Sequence, residues 1–585
     1  MNVGDRGDLR HQRGRAGAAI ALAAAVAALA GAVGSAPAAP VPYRLPAPLP
    51  RRASSPPIDR RAPYTPLVRS LIHQLEPTSP PTLPELTNAA RLFQGGLGPA
   101  GANPTCHAVG AVGAPVGTNP SIAPLCWADA VGVNILNSPN RNRTTATPEP
   151  LAIGSSFDPK LANVWGQVEG AEGRRLMVTG LFGPEADVSV QPNWERGLDT
   201  LGEDPFLNDV MSAAQVDGVQ AHGLMAQLKH FAAFSGANRY TLTEVGDQAL
   251  HEILLTPFES GFRRALAAST MCAYDEYRDT SRHLPGAPTA YGAGRSPYGH
   301  APLRTWPLGE PHWACEHPLA LAYTLRSLWH SIAFVGSDFP ATHSTSAMVQ
   351  GESQEFFTPT FFGNLDPTPI LPPAATVGVG SDPTGDTCAA GALRSPCTAS
   401  GARHVGGIPG PGCSPLEGCG LVNAVATANL PLAVFNQALA EVLYQEERFG
   451  MLGCDQSPRA KTCTNAGGIG GDRSGNAKLP AGPARRASAR SNLGTENGDA
   501  AVVERMSEEG AVLLKNRRRA LPLTRRDLRR GVAVTGPGAE YLIAAPSDEA
   551  STGFAERIAI SPLAQLKTLS RRGRAFTYAP AQGPT

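Results

Sequence analysis

The stretch SIAFVGSD at residues 331–338 decides the fold, because a run of apolar residues ends there in a carboxylate. Residues 332–335 (IAFV) suit a buried strand, and Asp338 follows three positions later. A charge buried without a partner is costly, so Asp338 must lie at the mouth of a site or be held by hydrogen bonds. We therefore expect a strand whose C-terminal end carries a functional group.

The order of helix, strand and polar residue occurs three times. The helical patterns lie at residues 206–215, 251–266 and 318–329, and the strands that follow them are LMAQLKHF (224–231), STMCAYD (269–275) and SIAFVGSD. Helices that alternate with strands indicate parallel βα units, as in a (β/α) barrel, whose functional groups collect at the C-terminal ends of the strands. Lys229, His230, Tyr274, Asp275 and Asp338 are therefore expected on one rim.

Composition limits the class of protein. The chain has 585 residues, of which 42% are hydrophobic, so it can bury large cores in more than one domain. Its formal net charge is +1, which gives no reason to expect a nucleic acid or an anionic membrane as partner.

The N-terminus has the layout of a secretory signal peptide. Basic residues precede the apolar run AAIALAAAVAALAGAV at 18–33, and small residues follow it. We assign residues 1–36 to the signal peptide and the Pro/Arg-rich residues 37–66 to a lead-in. The run is short for a membrane anchor, and no later stretch is apolar enough to span a bilayer. The expected location is secreted or at the cell envelope.

Ten cysteines fit export, because an oxidising compartment permits disulfides. Six of them form close pairs, Cys388 with Cys397, Cys413 with Cys419, and Cys454 with Cys463. The remaining four, Cys106, Cys126, Cys272 and Cys315, are also able to pair, although the sequence leaves the connectivity open. No neighbouring histidine completes a zinc pattern, so no metal is predicted.

The chain divides into two predicted domains after the lead-in. Residues 67–455 form the first, with an irregular, cysteine-containing insertion at about 356–428. A Gly-rich linker follows at 456–500. Residues 501–585 begin a second α/β domain, in which AVLLKN (511–516) and GVAVTGP (531–537) have the composition of strands.

Several motifs in order resemble glycoside hydrolase family 3. They are WERGLDTLGEDPFL (194–207), LKHF (228–231), MCAYD (271–275), ACEHPLALAYTLRSLW (314–329), GSDF (336–339) and AVLLKN with LPL (511–523). The resemblance covers most of residues 120–540. It implies an α/β fold with a (β/α)8-like TIM barrel, a linker and the start of an α/β sandwich domain.

The resemblance also implies a retaining O-glycosyl hydrolase of the β-glucosidase type. Such an enzyme releases β-linked glucose from the non-reducing end of oligosaccharides or glucosides in carbohydrate catabolism, and it requires no cofactor. Retention needs two carboxyl groups about 5 Å apart, a nucleophile and a proton donor. The nucleophile implied by the family motif is Asp338. The same side chain alone would also suit a helix N-cap.

The family motifs assign substrate contacts to further residues of the predicted rim. Lys229 and His230 match a Lys-His pair that binds sugar hydroxyls, and Arg196 matches the arginine of a WGR motif. Asp129 resembles an early aspartate that binds two ring hydroxyls. Tyr274, with Met271 nearby, matches the tyrosine beside the nucleophile. The adjacent acids Glu203 and Asp204 of GEDP are interpreted as capping a helix that begins near Pro205.

The chain departs from the family pattern at several positions. Val190 and Gln191 stand in place of Arg-Asp before Pro192, Glu195 replaces a glycine, and Asp199 replaces a glutamate. Asp275 stands in place of an asparagine, where its charge is expected to repel Asp338 and raise a pKa in the pair.

The second carboxyl group is not predicted within these residues. The family's two-domain members take the acid/base from the second domain, and the loop KHFAAFSGAN (229–238) lacks the PGHG of a branch that uses a histidine. The alternatives are therefore a non-catalytic sugar-binding protein and a β-xylosidase or other β-glycosidase. The sequence leaves the oligomeric state open.

Overall fold

The computed structural model describes the greater part of the residues from 64 to 356 and three shorter parts of the chain beyond them. The described residues are 64–93, 95–100, 103–110, 122, 125–131, 134–135, 144–145, 147–176, 178–194, 196–234, 242–280, 290–291, 306–307, 312–338, 341–343, 347–356, 421–426, 430–449, 451–452, 496–539, 561–568 and 575–579. The predicted signal peptide, the lead-in up to residue 63, the predicted linker up to residue 495, most of the insertion and the three close cysteine pairs lie outside them.

The chain forms two compact units, Pro56–Val503 and one that contains Glu504–Thr585. The α-helices are α1 Pro66–Leu75, α2 Leu83–Ala90, α3 Pro150–Gly154, α4 Pro159–Arg175, α5 Pro205–Ala221, α6 Asp247–Ala249, α7 Thr256–Arg263, α8 Ala347–Gln350, α9 Leu421–Ala426, α10 Leu432–Arg448, α11 Glu496–Glu509, α12 Arg525–Arg530 and α13 Pro562–Thr568. Two helices have wider, π-type turns, Leu250–Leu255 and Leu319–Leu328.

One large, mostly parallel sheet organises the first unit. Its strands are β1 Gly95–Ala100, β2 Asn103–Val109, β3 Leu125–Val131, β4 Asn134–Ile135, β5 Gly180–Phe182, β6 Met225–Phe231, β8 Ser269–Cys272, β13 Phe334–Ser337 and β14 Glu352–Gln354. The order is β1-β2-β3-β5-β6-β8-β13-β14, with β4 paired to β3. All pairs from β3 to β14 in this order are parallel, whereas β1-β2 and β2-β3 are antiparallel. Antiparallel neighbours need no crossover helix, which fits the two-residue connection between β1 and β2.

Two small sheets lie beside the large one. They comprise β7 Leu242–Val245, β9 Glu276–Asp279 and β12 His312–Trp313 in one, and β10 Ala290–Tyr291 with β11 Trp306–Pro307 in the other. The three-stranded sheet has the order β12-β9-β7. In the chain, β7 follows the end of β6 and β9 follows the end of β8. Loops that extend strand ends in this way are well placed to border a site at the C-terminal edge of the large sheet.

The two ends of the large sheet approach each other. The carbonyl of Phe93, just before β1, accepts a hydrogen bond of 3.0 Å from the backbone N–H of Glu355, just after β14. The side-chain amide of Gln354 donates to the carbonyl of Leu92 at 2.7 Å. These bonds join the first and last strands of the order, so the sheet curves into a barrel.

Aromatic side chains fill the inside of this barrel. The rings of Trp127 and Phe182 stack at 5.3 Å, and the edge of Phe334 meets Trp127 at 6.1 Å. They belong to one buried cluster with Phe356 and the methionines of β6 and β8. A larger cluster lies between the sheet and its helices. The interior is therefore packed, and polar side chains concentrate at the strand ends.

The GEDP motif begins helix α5, as the sequence predicts. Gly202 has a φ of +116°, a conformation that favours glycine, and it makes the turn before the helix. The carboxylate of Asp204 accepts hydrogen bonds from the backbone N–H groups of Phe206 and Leu207, and Pro205 is the first helical residue. Asp204 is therefore the N-cap, while Glu203 is exposed.

Helices α4 and α5 pack backbone against backbone at two glycines. A Cβ added at Gly166 would lie 2.2 Å from the carbonyl oxygen of Gln215, and one at Gly218 would lie 2.2 Å from that of Asn163. Alanine is intrinsically better than glycine in a helix by about 1 kcal/mol. We nevertheless expect Gly166→Ala to lower the free energy of unfolding by about 1–3 kcal/mol, because the helices must separate. Thermal unfolding measures this, and a raised midpoint would contradict the close packing.

The second unit has a small parallel sheet of β15 Val532–Thr535 and β16 Phe576–Ala579. The predicted strand GVAVTGP is thus confirmed as β15. The predicted strand AVLLKN is wrong, because residues 511–516 pair with no other described strand. Val512, Leu513 and Leu514 are exposed there. An apolar run becomes a strand only when a neighbouring strand satisfies its backbone groups, and pattern alone does not supply that neighbour.

Candidate active site at the ends of the parallel strands

The C-terminal ends of neighbouring strands bring together five of the predicted site residues. Asp129 lies near the end of β3, Lys229 and His230 near the end of β6, Tyr274 just after β8, and Asp338 directly after β13. The charge of Lys229 acts on both Asp129 and Asp338, and the two aspartates act on each other. These side chains therefore face a common space.

Asp338 is a buried but strongly ionised carboxylate. Its Oδ2 lies 3.2 Å from Nε2 of His230, and the hydroxyl of Tyr274 donates a hydrogen bond to it. Burial opposes its charge, but the hydrogen bond and charge of His230, the charge of Lys229 and the hydrogen bond from Tyr274 lower its pKa to about 2. A carboxylate of this kind stays ionised throughout the usual pH range and is able to act as a nucleophile.

His230 lies between two carboxylates. Its Nδ1 is 2.8 Å from Oδ2 of Asp187, and its backbone N–H donates to the same oxygen at 2.9 Å. Burial works against its charge, but Glu185, Asp187 and Asp338 outweigh burial and raise the pKa of His230. The imidazolium form is therefore favoured, with Nδ1 hydrogen-bonded to Asp187 and Nε2 in an ion pair with Asp338.

Asp129 forms a second polar centre on the rim with Lys229. About a quarter of its side chain is exposed, and Nε2 of His107 lies 3.8 Å from its Oδ2. Burial opposes ionisation, but the interaction with His107 and the charges of Lys229 and His107 prevail and lower the pKa of Asp129. Asp129 is thus an ionised hydrogen-bond acceptor beside a buried cation.

Arg196 forms ion pairs with two acidic side chains. Its Nη2 lies 2.6 Å from Oε2 of Glu185, and its Nε lies 3.5 Å from Oδ2 of Asp199. The guanidinium also lies 5.9 Å from the centre of the Phe234 ring. All three charged side chains are buried. The predicted contact of Arg196 with a sugar hydroxyl stays a prediction.

We expect Glu185→Ala to destabilise the protein by about 3–5 kcal/mol, because it leaves the buried Arg196 without its nearest carboxylate. Glu259→Ala provides a matched control, since it removes the partner of Arg263 in an exposed pair, which contributes at most about 1 kcal/mol. Denaturant unfolding of both variants gives the comparison. Equal small losses would show that the Glu185–Arg196 pair does not stabilise the fold.

Met271 packs within the barrel interior. It is buried and belongs to the cluster that contains Trp127, Phe182 and Phe334. Its predicted contact with substrate stays a prediction. Tyr274, three residues later, lies next to His230, with ring centres 6.2 Å apart.

The rise in pKa expected from Asp275 does not occur at Asp338. The Asp275 side chain is fully buried. Burial opposes the charge of Asp338, but the cationic His230 and Lys229 outweigh it and lower the pKa of Asp338. The expected effect on Asp275 itself stays a prediction. The departures at Val190 and Gln191 lie before Trp194, and Glu195 lies outside the described residues.

Two groups of side chains have metal-ligand chemistry within the described residues, and neither suits a metal. Cys272 and Cys315, which approach Glu352, are joined in a disulfide, so their sulfurs are unavailable as thiolates. The group Glu185, Asp187 and His230 already binds the guanidinium of Arg196 and shares hydrogen bonds internally. A divalent ion there would have to displace these partners.

The sequence reasoning missed Glu185, Asp187 and His107. The first two follow the short strand β5, which is parallel to β3 and β6. The same rule that selected Lys229 and Asp338, a polar group after an apolar strand, applies to GLFGPEAD at 180–187. His107 lies on the antiparallel β2, where that rule gives no signal. The disulfide between Cys272 and Cys315 resolves one pairing that the sequence left open.

Part of the barrel matches a known family model. Residues 129–290 match the model of the glycosyl hydrolase family 3 N terminal domain. The matched segment is similar to that domain. It contains Asp129, Lys229, His230 and Tyr274 and ends before Asp338. The predicted resemblance to this family is therefore confirmed.

Curated proteins are similar to part of the chain. A thermostable beta-glucosidase B from Acetivibrio thermocellus is 32% identical over 146 residues, which cover 24% of this chain and 19% of that protein. A probable exo-1,4-beta-xylosidase from Aspergillus terreus is 32% identical over 173 residues, covering 26% of this chain and 23% of that protein. The matched part thus spans about a fifth of the length of these relatives.

Solved structures confirm the fold. The beta-glucosidase DesR from Streptomyces venezuelae, in complex with D-glucose, has a TM-score of 0.57 at 24% identity, covering 88% of this chain and 50% of that one. Beta-glucosidase 3B from Thermotoga neapolitana has a TM-score of 0.54 at 20% identity, covering 87% and 55%. The predicted α/β fold with a TIM-like barrel is confirmed by this likeness.

Proposed function

We propose that this chain belongs to a retaining β-glycosidase that releases β-linked glucose from the non-reducing end of oligosaccharides or glucosides. The main support is Asp338, a buried carboxylate at the end of a parallel strand. His230, Lys229 and Tyr274 lower its pKa to about 2. A retaining enzyme needs an ionised nucleophile that attacks the anomeric carbon. The names of the beta-glucosidase relatives support glucose as the sugar.

The side chains around Asp338 fit recognition of a polyhydroxylated ring. Lys229, His230 and Tyr274 donate hydrogen bonds, and Asp129 accepts them. In this proposal Asp129 and Lys229 bind adjacent sugar hydroxyls, while Asp338 lies below the anomeric carbon. Arg196 orders the wall of the site through Glu185 and Asp199, and Met271 supports the strand that leads to Tyr274.

Asp129 and Asp338 are both held ionised, so neither has a proton to donate. A general acid for glycoside cleavage needs a raised pKa. Neither rim aspartate meets that need, so the proposal assigns the acid/base to neither of them. A first assay should therefore use substrates whose leaving groups depart without protonation.

The test compares aryl β-glucosides and β-xylosides that carry either a dinitrophenyl or a mononitrophenyl leaving group. We expect glucose release from the dinitrophenyl glucoside in preference to the xyloside. Preference for the xyloside would change the sugar and support the likeness to the xylosidase. Glucose binding by calorimetry without any release would favour the non-catalytic sugar-binding alternative, and neither binding nor release would refute the proposed site.

We also propose that the protein is exported, on the basis of the N-terminal pattern and the disulfide. The Cys272–Cys315 bond joins the end of β8 to the short turn Ala314–Glu316, and such bonds persist in oxidising compartments. No helix in the described part of the chain combines the length and apolar character required to cross a membrane. Fractionation of cells that express the chain tests export directly.

A further inference from the structure

The positive charge of the chain is concentrated in a short segment of the second unit. Residues 515–530 (KNRRRALPLTRRDLRR) contain eight basic residues against one acidic residue, a local net charge of +7 in a chain whose total is +1. We name residues 515–530 the basic segment. Its eight basic side chains all belong to exposed residues: Lys515, Arg517, Arg518, Arg519, Arg525, Arg526, Arg529 and Arg530. A charge balance over the whole chain conceals this feature.

The basic segment is ordered rather than loose. The side chain of Asn516 donates to the carbonyl of Leu521 at 2.9 Å and accepts from its N–H at 3.0 Å, which closes the turn Arg517–Arg519. Thr524 and Asp527 form a reciprocal capping box at the start of α12. The sole acidic side chain of the segment is therefore engaged in holding the helix.

The leucines of the segment attach it to the second unit. Leu521 is buried, and Leu523 and Leu528 pack against the small core that contains Leu566 and Phe576. The apolar side chains thus face inward and the basic side chains face solvent. Within the described residues none of the eight basic groups lies within 4.0 Å of a carboxylate oxygen. Their charges remain available to an external anion.

Apolar side chains directly precede the basic segment. Val512, Leu513 and Leu514 are 59%, 50% and 81% exposed, and they lie in a segment without regular secondary structure that pairs with no described strand. A nucleic acid or an acidic polysaccharide would use the charges but not these side chains. An anionic bilayer uses both, because arginines bind lipid phosphates while leucines enter the interface between headgroups and acyl chains.

We propose that residues 512–530 form a peripheral docking surface for an anionic lipid bilayer. The arginines supply electrostatic attraction to the headgroups, and Leu513 and Leu514 insert at the surface. No covalent anchor or membrane-spanning helix is involved. The docking surface belongs to the second unit, whereas Asp338 belongs to the first, and the proposal does not depend on the proposed hydrolase activity.

The test measures co-sedimentation of the full chain with vesicles of equal parts phosphatidylglycerol and phosphatidylcholine, and with vesicles of phosphatidylcholine alone. We expect binding to the anionic vesicles that falls steeply as sodium chloride increases. The triple variant Arg517→Gln, Arg518→Gln, Arg519→Gln should bind about 100-fold more weakly, since each basic residue near an anionic surface contributes about fivefold. The double variant Leu513→Ser, Leu514→Ser should lose about tenfold.

The matched control removes three exposed arginines from the first unit, with Arg69→Gln, Arg175→Gln and Arg263→Gln. It should bind the vesicles within about twofold of the parent chain, because these arginines lie outside the segment to which the proposal assigns binding. Unchanged thermal unfolding of every variant verifies that the units remain folded. No binding to anionic vesicles, equal binding to neutral ones, or an equal loss in the control would overturn the proposal. Tight binding to DNA or an acidic polysaccharide, with equal affinity in the leucine variant, would assign the surface to a polyanion instead.

Discussion

Replacement of Asp338 by asparagine is expected to lower kcat for a dinitrophenyl β-glucoside by at least about 10³-fold, because the variant lacks the nucleophile. Asparagine keeps the shape of the side chain and retains one oxygen that accepts hydrogen bonds. Substrate binding should therefore persist, with KM changed much less than kcat. Steady-state kinetics of the parent and variant chains measure the two parameters.

Asp204→Asn is the control for the Asp338 variant. It makes the same chemical change at an exposed helix N-cap, where asparagine caps about as well as aspartate. Its kcat should equal that of the parent. A parent-like kcat in the Asp338 variant would remove Asp338 from the reaction, whatever its surroundings.

Replacement of Asp187 by asparagine is expected to lower kcat/KM by about 10²-fold, the scale of loss when a reacting group is misplaced by about 1 Å. Asp187 positions His230 through both the ring Nδ1 and the backbone N–H. Without the carboxylate, the pKa of His230 falls, and the site loses a cation near neutral pH. The pKa of Asp338 then rises from about 2, because the charge of His230 is among the factors that lower it.

The pH profile distinguishes this positioning role from a general loss of structure. The acidic limb of kcat/KM should move to higher pH in the Asp187 variant, because Asp338 then takes up a proton at higher pH. Asp247→Asn is the matched control, since Asp247 lies 3.5 Å from His251 in a partly exposed pair. A lower rate with an unmoved acidic limb would show that Asp187 has only a structural role.

The same pKa shifts set the pH dependence of stability with opposite signs. The pKa of Asp338 is lowered from 3.8, so its contribution is present above pH 3.8 and is lost as pH falls towards about 2. The pKa of His230 is raised from 6.5, so its contribution is present below pH 6.5 and is lost as pH rises through the raised value. Together they favour stability between pH 3.8 and 6.5.

Two sequence patterns predicted the part of the fold that positions the site: the hydrophobic periodicity of helices and strands, and the polar groups that follow apolar strands. The strands that end in Lys229, Tyr274 and Asp338 are neighbours, in the order β6-β8-β13, and they are parallel. This prediction succeeded because an apolar strand followed by a polar group has few other structural solutions in an α/β chain. The cap at Asp204 succeeded for a similar reason, since the residues around Pro205 determine it locally.

The remaining features depend on contacts distant in sequence. The lowered pKa of Asp338 comes from His230, more than one hundred residues away, and His230 in turn is oriented by Asp187. The pKa of Asp338 is not raised as expected, because adjacency to Tyr274 in sequence does not reveal which cations surround Asp338. The failed strand at residues 511–516 lacks a pairing partner that composition alone does not reveal. Pairing, burial and charge networks are tertiary properties, so residue patterns indicate them only in part.

The most direct test of the central claim is mass spectrometry after incubation with a fluorinated β-glucoside that carries a dinitrophenyl leaving group. Such a substrate needs no proton donor for its departure, and the fluorine slows hydrolysis of the glycosyl-enzyme. The proposed function predicts one added fluoroglucosyl group, located on the peptide that contains Asp338 and absent from the Asp338→Asn variant. A label on another carboxylate, or no label from a chain that binds glucose, would contradict Asp338 as the nucleophile.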